Sequence, residues 1–344
     1  MSYELGMRAL KLQNPERLGH TEYCSNPALV RAVTGLDPNT DSSAWTKFYE
    51  AWQIDFMWNT HDGPIGFSKG RYTDMGHAVF QEGGTDWRDT VHCPFNSVEE
   101  VLEFDAVKEY GLMPLDELTE FYEKLLQGQK GSPYIYTAGY YNTIVSGAIQ
   151  IFGWEMLLAA AADQERFEKV LDSIYEITLH HYKAWVKTSK IDAFICHDDM
   201  VWSQGAFMHP DFYRKAIFPR YKKLWKVMHD ANIPVLFCSD GDFTEFIDDI
   251  IEAGADGLIF EPMTSLDYVV EKYGKTKAIF GSKVDCRTLT FGTKEQIKHQ
   301  VDETLKLAKG CPGFFAAVGN HIPSNVPVDN CLYYFDYLSK NWLR

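Results

Sequence analysis

Ala193-Phe194-Ile195-Cys196-His197-Asp198-Asp199, Pro234-Val235-Leu236-Phe237-Cys238-Ser239-Asp240-Gly241-Asp242 and Gly257-Leu258-Ile259-Phe260-Glu261 are three short apolar runs, each closing on thiol, imidazole or carboxylate groups. Runs of this length, bounded by Gly, Pro and Asp, read as strands buried on both faces. Between the first two lies Pro210 to His229, where Phe212, Ile217, Tyr221, Leu224 and Val227 recur at helical spacing. A helix over Phe243 to Ala253 follows the second run, and Asp267 to Tyr273 follows the third. Ala278 to Gly281 is a further strand, Lys294 to Lys309 a helix, and Gly313 to Val318 the last strand. Strand and helix alternate in units of about 22 to 40 residues, which implies a parallel β/α architecture.

The first half is less regular. Leu18 to Cys24 is a candidate first strand, Pro133 to Ala138 another, and Gln164 to Thr188 a long helix. Ala44 to Glu120, rich in Trp, Gly and Asp, reads as loops and short helices decorating one end. Nothing resembling a linker or repeat divides the chain. The expectation is therefore one α/β domain over residues 1–344, a (β/α)8 TIM barrel with N-terminal and loop decorations.

The 344 residues carry 33 Lys+Arg against 48 Asp+Glu, a formal charge of −15. That balance argues against nucleic acid and against an anionic membrane surface as partners, because both are held by basic clusters. No basic and apolar leader opens the sequence, and the apolar run Met156 to Ala162 is far short of a membrane span. Seven cysteines without C-x-x-C pairing suit free thiols in a reducing compartment, so a cytoplasmic location is expected.

In such barrels chemistry collects at the C-terminal ends of the strands. Cys238, Asp240, Glu261 and His321 fall there with the ligand types of zinc, and three protein ligands plus an open position is a catalytic arrangement. The alternative is a metal-free polar pocket in which Asp240 caps the following helix and Glu261 forms an ion pair. His197, Asp198 and Asp199 are candidates for acid/base work or ligand orientation. Alternatively, Asp199 satisfies backbone N–H groups of its loop. His20-Thr21-Glu22 reaches the same rim if the first strand is placed correctly. Aromatic residues make up 15% of the chain, most of them expected in the core. Trp58, His61, Tyr140, Trp202 and Phe207 stand near strand ends or in loops and are candidates for an apolar pocket over the polar floor, suited to a small organic ligand.

Asp198-Asp199-Met200 through Ser203-Gln204-Gly205 to His209-Pro210-Asp211-Phe212-Tyr213 resembles a segment of the uroporphyrinogen decarboxylase superfamily. So do Pro219-Arg220-Tyr221-Lys222, Gly254-Ala255-Asp256-Gly257, Tyr273-Gly274, the Gly281 to Asp285 turn with Leu289 and Gly292-Thr293, and Val326-Pro327 with Asn330. The resemblance is dense over 190–335 and thinner back to Glu16. It implies a TIM barrel and either decarboxylation or zinc-dependent, corrinoid-linked methyl transfer. The decarboxylase branch binds a polycarboxylate through an Arg-rich N-terminal segment, whereas this chain has His20-Thr21-Glu22-Tyr23-Cys24-Ser25-Asn26-Pro27. The methyltransferase branch shows His-x-Cys where this chain has Cys238-x-Asp240, with Asn320-His321 at the second ligand position. The harder ligand set suits Lewis-acid work on oxygen more than activation of a thiol. The resemblance therefore implies an O-demethylating methyltransferase that passes a methyl group from an aryl methyl ether to cobalamin carried by a partner corrinoid protein. A uroporphyrinogen-type decarboxylase and a methylcorrinoid:thiol methyltransferase are the alternatives.

Overall fold

The computed structural model describes residues 2–57, 59–63, 70–73 and 92–344. Nine short strands build it: β1 (Gly19–His20), β2 (Phe56–Met57), β3 (Ile135–Tyr136), β4 (Ala138–Tyr140), β5 (Phe194–His197), β6 (Val235–Ser239), β7 (Gly257–Phe260), β8 (Ala278–Gly281) and β9 (Phe314–Ala316). Seven form one parallel sheet in the order β1-β9-β8-β7-β6-β5-β4, and β2 pairs with β3 in parallel. Only Thr137 separates β3 from β4, so these two are halves of one barrel strand, one half pairing with β2 and the other with β5. The Asp55 N–H donates to the His20 carbonyl (2.8 Å) and the Thr21 hydroxyl to the Phe56 carbonyl (2.5 Å), linking β1 to β2. The architecture is that of a (β/α)8 TIM barrel.

Side-chain parity explains the two cores. Phe56, Ile135, Ile195, Leu236, Ala278, Phe280 and Phe315 form an inner cluster, and Phe280 and Phe315 stack at 4.3 Å. Their strand neighbours Phe194, Cys196, Phe237, Leu258, Ile279 and Phe314 face the helices in the larger cluster. Gly19 is required by this filling, since a Cβ there would lie 2.4 Å from the Phe315 ring.

The second half follows the sequence reading closely: the helices Leu266–Tyr273 and Lys294–Ala308 and strands β5 to β9 stand within a few residues of expectation. The first half needs correction. The stretch read as decoration contains β2, a barrel strand, and part of the 13-residue helix Leu115–Gln127. The helix Ile144–Ala161 was not anticipated. Apolar all round, it lacks the stripe that marks a helix with one solvent face. Its 18 residues are long and apolar enough to cross a membrane, but 61% are buried in the protein, as befits a core helix. Gly153, at φ +69°, breaks it and sends Trp154 toward the strand-end rim. The helix Val328–Asn341 packs on β1, its Phe335 ring stacked on His20 at 5.5 Å, and the buried Arg17–Asp55 pair (2.6 Å) ties the first two strands together.

Candidate active site

The inward parity of the barrel core continues into the rim. On β5 it runs from Ile195 to His197 and on to Asp199; on β6 from Leu236 to Cys238 and Asp240; on β7 from Ile259 to Glu261. The carboxylate, imidazole and thiol groups therefore meet because they extend the inner face of three neighbouring strands. His197 Nε2 lies 3.1 Å from Asp199 Oδ1, which also accepts the Asp240 N–H at 3.0 Å. The Tyr141 hydroxyl donates to Asp199 Oδ2 (2.9 Å), and its ring meets His197 edge-on at 4.6 Å. Cys238, the register partner of His197 on β6, also hydrogen-bonds its imidazole.

The electrostatics follow from this crowding. Burial works against a charge on His197, yet the Cys238 sulfur and the Asp199 carboxylate beside it lift its proton affinity well above the usual value. Burial pushes the Cys238 thiol up, so Asp199 supplies the negative charge of that pair. Burial also opposes ionisation of Asp199, but His197, together with the bonds from Asp240 and Tyr141, holds it down at about 2. Asp240 is walled in by protein on the barrel side and open to solvent at the cleft mouth. That enclosure, with repulsion from Asp199 and Glu261, pushes its carboxyl well up. Burial raises Glu261 as well, although it accepts the Gly241 N–H at 2.7 Å.

Among the described residues, His197, Asp199 and Asp240 are the group whose ligand atoms all lie within 4.8 Å of one another. The expected metal set is thus redistributed. Asp240 belongs to the observed group, whereas Cys238, Glu261 and His321 surround it. Cys238 connects through His197, Glu261 through the backbone of Gly241, and His321 through Asn320, whose amide bonds both His321 Nδ1 (2.6 Å) and Asp240 Oδ2 (3.2 Å). The donor chemistry, one imidazole and two carboxylates, suits a divalent cation, whose charge would offset the repulsion from Asp199 that adds to burial in raising Asp240.

Asp198 has the opposite parity and a different task. It is fully buried and accepts the backbone N–H groups of Ile144, Val145 and Ser146 (2.6–3.1 Å) and the Tyr221 hydroxyl (2.6 Å). It therefore holds the N-terminus of the apolar helix and faces away from the cleft. Ser146 returns a bond to the Asp199 N–H (2.8 Å), which couples that helix to the site. His20 and Glu22 are likewise buried in a framework network. His20 bonds the Trp52 carbonyl, and Glu22 accepts from Val318 N–H and the Tyr334 hydroxyl.

The expected aromatic residues separate into rim and interior. Trp202 is 48% exposed and meets Phe207 at 5.7 Å; both pack on Trp154, at 5.6 and 4.8 Å. The Trp202 carbonyl accepts the Asp242 N–H, and Gly241, at φ +83°, passes so close that a Cβ would lie 2.6 Å from that carbonyl. The aromatic cluster is thereby fastened to the turn that carries Asp240. Tyr140 instead stacks on His181 in the core (4.5 Å), and His61, half-buried, bonds the Tyr136 hydroxyl (2.9 Å). Trp58 lies outside the described residues. Two rim residues absent from the expected site, Tyr141 and Trp154, have opposite prospects from sequence. Tyr141 follows by parity from inward Gly139, whereas Trp154 depends on the helix break at Gly153.

The structure is similar over 99% of its own length and 99% of the other chain to a methyltransferase from Methanosarcina mazei, with a TM-score of 0.66 and 16% sequence identity. It also aligns with native xylanase 10B from Thermotoga maritima, with a TM-score of 0.40, 12% identity and 99% and 98% of the two chains covered. No curated protein sequence matches the chain. The sequence model described as uroporphyrinogen decarboxylase (URO-D) matches residues 150–340, which include β5 to β9 and every member of the His197, Asp199 and Asp240 group. With more than half of its length matched, and with the barrel in place, the chain belongs to the uroporphyrinogen decarboxylase family.

Proposed function

We propose that this protein is a zinc-dependent methyltransferase that moves a methyl group from an aryl methyl ether to the Co(I) of a partner corrinoid protein. The observation that carries the reading is the imidazole and carboxylate group at the strand-end rim, fastened through Gly241 to a cluster of half-buried Trp154 and Phe207 with exposed Trp202. The whole-length fold likeness to the Methanosarcina mazei methyltransferase agrees with it. A polycarboxylate substrate is disfavoured, because the N-terminal segment 20–27 offers no arginine and its His20 and Glu22 are committed to framework bonds.

In this reaction the bond between methyl carbon and ether oxygen breaks, a carbon–cobalt bond forms, and the electron pair remains on oxygen as a phenolate. A phenol has a pKa of about 10, so its anion needs stabilisation to leave at neutral pH. His197, Asp199 and Asp240 would hold a zinc ion, which would supply that stabilisation as a Lewis acid. Without the metal, a proton on His197 balances the same carboxylates. Tyr141 and the Asp240 N–H hold the Asp199 carboxylate in place. Trp202 and Phe207 offer ring faces to the arene, and the solvent-exposed side of Asp240 is where the partner approaches.

The test is anaerobic incubation with guaiacol and chemically reduced cobalamin or a corrinoid protein, together with metal analysis. Stoichiometric catechol and methylcobalamin, lost on chelation and restored by zinc, is the expected result. Absence of methyl transfer with every corrinoid overturns the reading. Carbon dioxide release from uroporphyrinogen, or methylation of a thiol from methylcobalamin, would select one of the two alternatives.

A further inference from the structure

Asn320 occupies the left-handed backbone region, at φ +66°. Four other non-glycine residues share it, Leu12, Asn14, Gln53 and Asn232, and each follows a helix and precedes a strand on the face opposite the cleft. Asn320 alone among these described residues stands at a strand C-terminal end. Asn is the residue type that tolerates this conformation best after Gly. Its surroundings leave the chain no other course. On one side the Val318 N–H donates to Glu22 Oε2 (2.9 Å) and the Gly319 N–H to the Val284 carbonyl (2.8 Å). On the other the Ile322 N–H donates to the Tyr23 carbonyl (2.8 Å). A backbone pinned on both flanks in a sparsely populated region is the signature of conformation kept for its side chain.

That side chain is spent on two groups. Nδ2 donates to Asp240 Oδ2 and Oδ1 faces His321 Nδ1. In this orientation Nδ2 is the donor to Asp240, whose oxygen accepts whether the carboxyl is ionised or protonated on its other oxygen. Oδ1 is then an acceptor and His321 must carry its proton on Nδ1, which leaves the lone pair on Nε2. Histidines that bind metals are prepared in this way, with the other ring nitrogen donating to an oxygen.

We infer that Asn320 is a positioning residue of the cleft, whose amide fixes the Asp240 carboxylate on one side and the Nδ1–H tautomer of His321 on the other. The inference rests on the metal-dependent reading above for its catalytic meaning, but the tautomer and its cause belong to the metal-free protein.

The decisive measurement is nitrogen NMR of metal-free protein labelled with 15N-histidine, the His321 signals being assigned with His321→Gln. The wild type should show His321 protonated on Nδ1. Asn320→Gly, which relieves the backbone and removes the amide, should be as stable as wild type or more so while His321 becomes a mixture of tautomers. Asn320→Asp keeps an acceptor for His321 and removes the donor to Asp240, so the tautomer should persist. An Nε2–H tautomer in the wild type, or no change in Asn320→Gly, overturns the inference. Zinc competition against a chromophoric chelator reads the Asp240 side: affinity should fall about 10- to 100-fold in both variants. Unchanged affinity in Asn320→Gly overturns that half. A wild type that binds no zinc but shows the tautomer change supports the positioning role and refutes the metal-dependent function instead.

Discussion

Removing the carboxylate of Asp198 should damage the fold more than the chemistry, and its neighbour Asp199 should behave in the opposite way. Asp198 receives three backbone N–H groups from the first turn of Ile144–Ala161 and the Tyr221 hydroxyl, all without solvent contact. A buried donor left without an acceptor costs about 1–3 kcal/mol, and a carboxylate at a helix N-terminus gains up to ~2 kcal/mol more from the helix dipole. These contributions are not additive, because the helix end can shift and admit water. About 4 kcal/mol is the expected loss for Asp198→Ala, in line with breaking a buried charged network. Burial also pushes the Asp198 carboxyl above its ordinary range, so the ionised form carries a desolvation cost that a neutral side chain avoids. Asp198→Asn keeps one acceptor and escapes that cost, and should lose only about 2 kcal/mol. Asp199→Asn, which leaves the buried His197 without its carboxylate, should lose about 2 kcal/mol while zinc occupancy falls. Urea unfolding followed by the fluorescence of the nine tryptophans, with zinc measured on the same samples, tests all three. An Asp198→Ala protein within 1 kcal/mol of wild type would refute the capping role argued here.

His181 should make the protein sensitive to acid. Burial drops its pKa from 6.5 to about 3, so between those values the unfolded chain binds a proton that the native state refuses, and stability falls as pH falls. At pH 5 the cost is about 2 kcal/mol (1.5 pH units at 1.36 kcal/mol each). The wild type should therefore lose that much more stability than His181→Gln between pH 7.5 and 5; parallel pH profiles would refute it. Trp202→Ala should leave unfolding nearly unchanged, because the Trp202 ring is half exposed, and should raise KM for the methoxyarene about tenfold, in keeping with ~1.5 kcal/mol of aromatic contact. Unaltered KM would remove Trp202 from the substrate site.

The second half of the barrel was legible because its strands are apolar runs closed by polar residues, a local pattern that parallel strands buried on both faces must show. Phe194–His197 and Val235–Ser239 needed no tertiary knowledge, nor did the placing of His197, Cys238, Asp240 and Glu261 at one rim. Strand β2 was hidden because two residues carry no periodicity, and the helix Ile144–Ala161 because burial on all sides removes the amphipathic stripe by which helices are read. Family membership, too, was written in local motifs between Asp198 and Asn330.

What composition and order could not settle is which neighbour of a pair faces inward. His197, Asp198 and Asp199 are consecutive and chemically alike, yet two face the cleft and one holds a helix. The sequence by itself determined the barrel, the rim and the residue types gathered there, because strand length, turn residues and hydrophobicity are local quantities. Only the tertiary structure decided that His197, Asp199 and Asp240 converge while Cys238, Glu261 and His321 surround them. A ligand group is defined by distances across two strands, and those depend on register, parity and the turns at Gly241 and Asn320 that no single segment encodes.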